Sequence, residues 1–156
     1  MELIEEAKAE YTRAQDRVMK ALSATPDDKI NWSPSPTART PVQLAAHAGH
    51  GTELIMGMIQ GKPFGYAGFQ EMDIANRLAE QQITQKEKAV SILQDSGKAY
   101  LSFLDGLTRE QTDSTVEFPF GAMPMRVAIT LPADHLRSHA SQMEYIQTIY
   151  GDTELR

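Results

Sequence analysis

The chain has 156 residues, 41% of them hydrophobic, with a formal net charge of -6 and no cysteine. That length and apolar content support one domain, residues 1–156, with a real core. The acidic balance disfavours nucleic acid and anionic membrane surfaces as partners, and the missing thiols exclude disulfides and thiolate metal sites. The N-terminus, MELIEEAKAEYTRAQ, is charged from residue 2 and has no apolar run. Neither a signal peptide nor a membrane span is therefore expected, and the expected location is cytoplasmic.

Residues 2–24 read as the first helix. Leu3, Ile4, Ala7, Tyr11, Ala14, Val18 and Leu22 recur at helical spacing, and Glu2, Glu5 and Glu6 suit the positive end of its dipole. Residues 25–39 form a linker with three prolines and Trp32, the only tryptophan. Trp32 is expected to fold back onto the bundle as an anchor, with a place in a substrate wall as the alternative. Thr40, Pro41 and Gln43 make a capping box with proline at the first helical position. The helix they open runs to about Gln60 and stops at Gly61. On its wheel Leu44, Gly51, Leu54, Ile55 and Met58 flank His47, which points to the core. His50 lies about 60° round, at the edge of that face.

Residues 61–83 are too long for a tight turn and permit a crossover that places two helices parallel. A short helix is expected at residues 73–81. Phe64, Tyr66 and Phe69 are candidates for lining a pocket, the alternative being packing over the bundle end. Thr84 and Glu87 mark a second capping box. The helix beyond it buries Ala89, Val90, Leu93, Ser96, Tyr100, Phe103, Leu104 and Leu107. TVEFPF, residues 115–120, and MPMRVAI, residues 123–129, flank Gly121-Ala122 and suggest a short hairpin, kept irregular by Pro119 and Pro124. The last helix starts between Met125 and Leu131 and ends at Tyr150, with Gly151 as its cap. Four amphipathic helices with one apolar face each make an all-α four-helix bundle.

The last helix carries DHLRSHASQ, residues 134–142. His135 and His139 stack on one face, followed by Gln142, Ile146 and Tyr150. Burying two unpaired imidazoles costs about 1–3 kcal/mol each, so a shared metal or ordinary hydrogen bonds must compensate them. With His47, three imidazoles point to one core and make an open site for a divalent ion such as Zn, Ni, Fe(II), Mn or Co. His50 could replace a ligand or act as a nearby base, and Gln142 is placed to orient an imidazole by a hydrogen bond. A water on such an ion can have its pKa lowered to about 7. Alternatively, the ion could bind a thiolate or carbonyl oxygen directly. No nucleophile elbow, dinucleotide fingerprint or phosphate loop is present, and no residue is identified as catalytic.

Three features resemble the DinB-like (damage-inducible) metalloenzyme family. They are Trp32-Ser33-Pro34 before a capped helix, TPVQLAAH at residues 40–47, and His135, His139 and Gln142 in the order H-x3-H-x2-Q. The resemblance runs from the first helix to about Asp152. It implies a four-helix bundle with an unusual crossover, a divalent metal on His47, His135 and His139, and a homodimer. Some members of the family are thiol S-transferases that use low-molecular-weight bacterial thiols. Where common members read H-H-R-G-Q, this chain has Ser138-His139-Ala140-Ser141-Gln142. A metal-dependent enzyme acting on a small molecule, by thiol transfer or hydrolysis, is the leading expectation. The alternative is a non-catalytic stress-response or binding module with a structural or vestigial metal site. A third possibility has no metal, the three histidines sharing hydrogen bonds around a buried water.

Overall fold

Thr40 opens the helix with the clearest start signal. Its hydroxyl accepts from the Gln43 backbone N–H at 3.3 Å, and the Gln43 side-chain oxygen accepts from the Thr40 N–H at 3.0 Å. Two donors that a helix start leaves open are thereby satisfied. In the computed structural model, which describes residues 2–154, this helix is α2, Pro41–Ile59, and follows α1, Glu2–Ala24. Gly61 stops it with φ of 75°, a left-handed conformation that glycine adopts without a Cβ penalty.

The connection contains α3, Phe69–Glu80, which starts four residues before the expected position, and leads to α4, Lys86–Asp105. The expected Thr84–Glu87 capping box does not form. Gln85 is the extended cap residue and makes no side-chain cap bond, while the Thr84 carbonyl accepts from Asn31 Nδ2 at 3.0 Å. The Asn31 bond to the Thr84 carbonyl and the burial of Ile83 thus move the helix start downstream. After a single turn, α5 (Arg109–Thr112), come β1 (Thr115–Phe118) and β2 (Gly121–Pro124). They pair antiparallel with Phe118 opposite Gly121, so the turn lies at Pro119-Phe120 and not at Gly121-Ala122. Pro119 there gives up no ladder hydrogen bond. A second single turn, α6 (Met125–Ala128), precedes α7, Leu131–Ile149. The last helix therefore starts at the late end of its expected range. Pro132 sits in its first turn, where no intrahelical N–H is required.

Side-chain registers fix the bundle directions. Glu10 pairs with Arg137, Arg17 with Glu144, and Gln147 with the Ala21 carbonyl, so α1 and α7 run parallel. Lys8 pairs with Asp105 and Gln15 with the Leu93 carbonyl, so α4 runs antiparallel to α1. His47 lies beside His139 and Gly51 beside His135, so α2 runs antiparallel to α7. It follows that α2 and α4 are parallel, and the α3 connection carries the chain back along the bundle as the crossover requires. α2 packs mainly on α4 and α7, and α1 on α7 and α4. The consecutive helices α1 and α2 therefore face each other across the diagonal.

Tyr11 and Tyr100 meet in the fully buried centre with ring centroids 4.8 Å apart. Their hydroxyls donate to Thr52 Oγ1 at 3.3 Å and to the Ile129 carbonyl at 2.5 Å, so neither is left unpaired. Gly49 brings α2 close to α4: a Cβ there would lie 2.7 Å from Ile92 Cγ2 and 3.1 Å from its backbone. On α7 the buried side chains are Pro132, Ala133, Leu136, Ala140, Met143, Ile146 and Gln147; of the expected His135–His139–Gln142–Ile146 line Ile146 is buried, the two histidines are half-buried and Gln142 is exposed. The two histidines consequently stand at the edge of the buried face, towards α2. No helix among the described residues is long and apolar enough to cross a membrane.

Candidate metal centre

Because α2 and α7 pack antiparallel, the His47 ring meets both imidazoles of α7. Ring centroids lie 5.2 Å from His47 to His135, 4.6 Å from His47 to His139, and 4.4 Å between His135 and His139. One nitrogen from each ring can be chosen so that all three lie within 4.8 Å of one another. The His135 and His139 Nε2 atoms are 3.0 Å apart.

The outer nitrogens show which atoms remain available. His47 Nδ1 is 2.6 Å from Glu80 Oε1, and a carboxylate only accepts, so Nδ1 carries the proton and Nε2 offers its lone pair. His139 Nδ1 is 2.8 Å from Gln142 Oε1 and by the same argument leaves Nε2 free. His135 Nδ1 is buried with no hydrogen-bond partner. Its ring lies against the bare Cα of Gly51, where a Cβ would approach to 2.1 Å. Burial, then the neighbouring His139 and His47 and Arg39, push the His135 pKa down to about 3. Burial, then His47 above all, push His139 down to about 4. Both are therefore neutral near pH 7, the form that binds a metal. The free Nε2 atoms of His47 and His139, with protons held on their outer nitrogens, and the neutral His135 ring, gathered within 4.8 Å, fit a divalent transition ion.

Glu80 was not identified from the sequence. It is 1% exposed and bridges His47 to Arg39, whose Nε lies 2.5 Å from Glu80 Oε2. Burial raises the Glu80 pKa, but the hydrogen bonds from His47 and Arg39 outweigh it and hold the carboxyl below its usual value. Arg39 also reaches Asp73 at 2.9 Å, and Arg77 joins Asp73 at 2.7 Å to the Thr37 carbonyl at 2.9 Å. The linker and α3 are thus tied into the orientation of His47. The one sequence signal was the Asp73, Arg77, Glu80 spacing, which places the three on one side of a helix.

The other expected residues are dispersed. His50 is part-buried, three residues round α2 from His47, and joins neither the triad nor the adjoining cavity. Gln142 is exposed, yet it makes the expected bond to His139. Trp32 packs edge-on against Tyr150, with centroids 6.1 Å apart, and does not line the cavity beside the triad. The anchor reading describes it and the substrate-wall reading does not. Of the three loop aromatics only Phe69 lines the cavity; Phe64 packs behind it at 5.3 Å, and Tyr66 against Phe64 at 5.5 Å. The cavity, of about 380 Å³, opens beside His47 and His135 between α2, α3, α7 and the hairpin turn.

The sequence model of the DinB superfamily matches residues 10–143. Among solved structures, the chain is similar to YfiT from Bacillus subtilis, described as a probable metal-dependent hydrolase with an unusual four-helix bundle topology. The identity is 12%, covering 95% of this chain and 87% of YfiT, with a TM-score of 0.74. The DinB-like protein YjoA from Bacillus subtilis is 16% identical over 97% of this chain and 96% of its own, with a TM-score of 0.68. A conserved protein from Enterococcus faecalis is 16% identical over 95% and 97%, with a TM-score of 0.72. At these identities the likeness is one of fold. No curated protein sequence matches the chain.

Proposed function

The chain belongs to the DinB superfamily, and from that premise we propose that it is a divalent-metal-binding protein whose triad of His47, His135 and His139 serves a metal-dependent reaction on a small molecule. The observation that carries this reading is the triad's polarity: Glu80 and Gln142 hold protons on the outer nitrogens of His47 and His139, turning their lone pairs inward. The description of YfiT as a probable metal-dependent hydrolase supports a hydrolytic reaction, and the family resemblance supports thiol transfer as the other form. A bound divalent ion supplies Lewis acidity to a substrate oxygen or sulfur. Glu80 keeps His47 oriented and its Nδ1 protonated, and Arg39 holds Glu80 charged in a buried position. Leu54, Ile55 and Met58 of α2 exclude water from one wall of the cavity, which strengthens electrostatic interactions within it. The proposal includes the homodimeric state implied by the resemblance, which sedimentation velocity tests.

Elemental analysis of tag-free protein tests the reading. About one equivalent of Zn, Ni or Fe per chain is expected, and His139→Ala should lose it while remaining folded. Equal metal content in wild type and variant would overturn the triad.

A further inference from the structure

The cavity beside the triad has a character that the triad alone does not specify. Leu54, Ile55 and Met58 of α2 line it together with Met72 and Phe69 of α3 and Phe120 of the hairpin turn. These two aromatics come from separate elements and meet at 5.8 Å, yet remain 50% and 52% exposed. Large apolar side chains half in water are a surface that a ligand would cover. No lysine or arginine lines the cavity among the described residues. Among the described residues the one carboxylate lining it is that of Asp134, which accepts from Arg137 at 2.9 Å. Arg137 itself is also drawn to Glu10 of α1. Asn76 and Ser138 add neutral polar groups.

A ligand carboxylate away from the reacting group would therefore be desolvated against alkyl and aromatic walls without a cation to receive it. We propose that the site takes an uncharged small molecule with an alkyl or aryl body, its reacting carbonyl or sulfur at the triad and its body under Phe69 and Phe120. Thiols bearing several carboxylates are disfavoured by the same walls. At roughly 30 Å³ per water-sized group, a cavity of about 380 Å³ holds a ligand of on the order of a dozen heavy atoms. This inference rests on the triad holding a metal, and its test separates the two.

Hydroxamic acids of increasing tail length provide the probe, titrated into cobalt-loaded protein and followed by the visible absorption of the metal. Each buried methylene should tighten binding about fourfold, so hexanohydroxamate should exceed acetohydroxamate by at least about fifteenfold with half of its four extra methylenes buried. Succinic monohydroxamate, which puts a carboxylate where butanohydroxamate has its terminal methyl, should bind at least tenfold more weakly than butanohydroxamate. Replacing both Phe69→Ala and Phe120→Ala should reduce the advantage of hexanohydroxamate. Metal-dependent binding with no tail dependence, or a preference for the succinic probe, would overturn the inference and leave the triad standing. Failure of the protein to bind cobalt would instead overturn the proposed metal centre. A bound cobalt that no hydroxamate perturbs would overturn both the open site and the ligand class.

Discussion

Gly51→Ala should weaken the proposed metal centre without removing any of its three histidines. The added Cβ would fall 2.1 Å from His135 Cε1, 2.6 Å from Nδ1 and 2.8 Å from Nε2, so the ring cannot keep its place. The obstacle is the end of a side chain that can rotate about two bonds, and α2 need not move. Alanine in the middle of a helix also gains about 1 kcal/mol over glycine, which offsets the displaced imidazole. The metal-free variant should thus unfold within about 1 kcal/mol of wild type. Misorienting one ligand typically lowers metal affinity about 10- to 100-fold, a loss of about 1.4–2.7 kcal/mol of the stabilisation that saturating metal confers. Urea unfolding with and without zinc, combined with competition against a chromophoric chelator, measures both quantities. A variant stabilised by zinc as strongly as wild type would show that His135 is not a ligand, and the argument from Gly51 would fail.

Three further outcomes follow from the same contacts. Glu80→Gln should weaken metal binding about tenfold by loosening His47 and cost about 2 kcal/mol because Arg39 keeps a neutral partner only; chelator competition and urea unfolding check the two, and unchanged affinity would remove Glu80 from the centre. Gly49→Ala differs from Gly51→Ala because its Cβ meets Ile92 backbone as well as side chain. It should destabilise the metal-free protein by about 1–3 kcal/mol, read as a lower urea midpoint. The third concerns acid. His135 and His139 have folded pKa values of about 3 and about 4, below the unfolded value of about 6.5. The unfolded chain therefore binds protons first, and stability is lost as pH falls from about 6.5 towards 4. The slope approaches about 1.4 kcal/mol per unit for each histidine below pH 6, which sums to about 3 kcal/mol for the two between pH 6.5 and 5. Metal-free His135→Leu should flatten that slope, and an unchanged acid profile would refute the assignment.

The parts of the site legible in the sequence are those on well-marked helices. His135 and His139 lie one turn apart on any helix, and His47 lies on the apolar face of a helix whose start was specified by Thr40, Pro41 and Gln43. Glu80 was hidden for a different reason. α3 is a polar helix with one buried residue among its twelve, so no apolar periodicity announced which face is inside. Its burial depends on Arg39, forty-one positions earlier. The Thr84–Glu87 pattern failed because a capping box is local chemistry, and the contacts of residues 83–84 with the rest of the fold decided the helix start. The hairpin is legible as a pair of strands, but its turn lies at Pro119-Phe120 and not at the Gly121-Ala122 between the two stretches. The length of residues 61–83 permits the parallel pairing of α2 with α4 without requiring it. The parallel pairing of α1 with α7 required the charged registers between them.

The most direct test of the metal centre is X-ray absorption at the metal edge of zinc-reconstituted, tag-free protein, with a crystal structure of the same sample. The account predicts three imidazole nitrogens at about 2.0–2.1 Å, from His47, His135 and His139, together with a non-protein ligand on the side of the cavity. A metal held elsewhere, or enclosed by four protein ligands with no position facing the cavity, would contradict it.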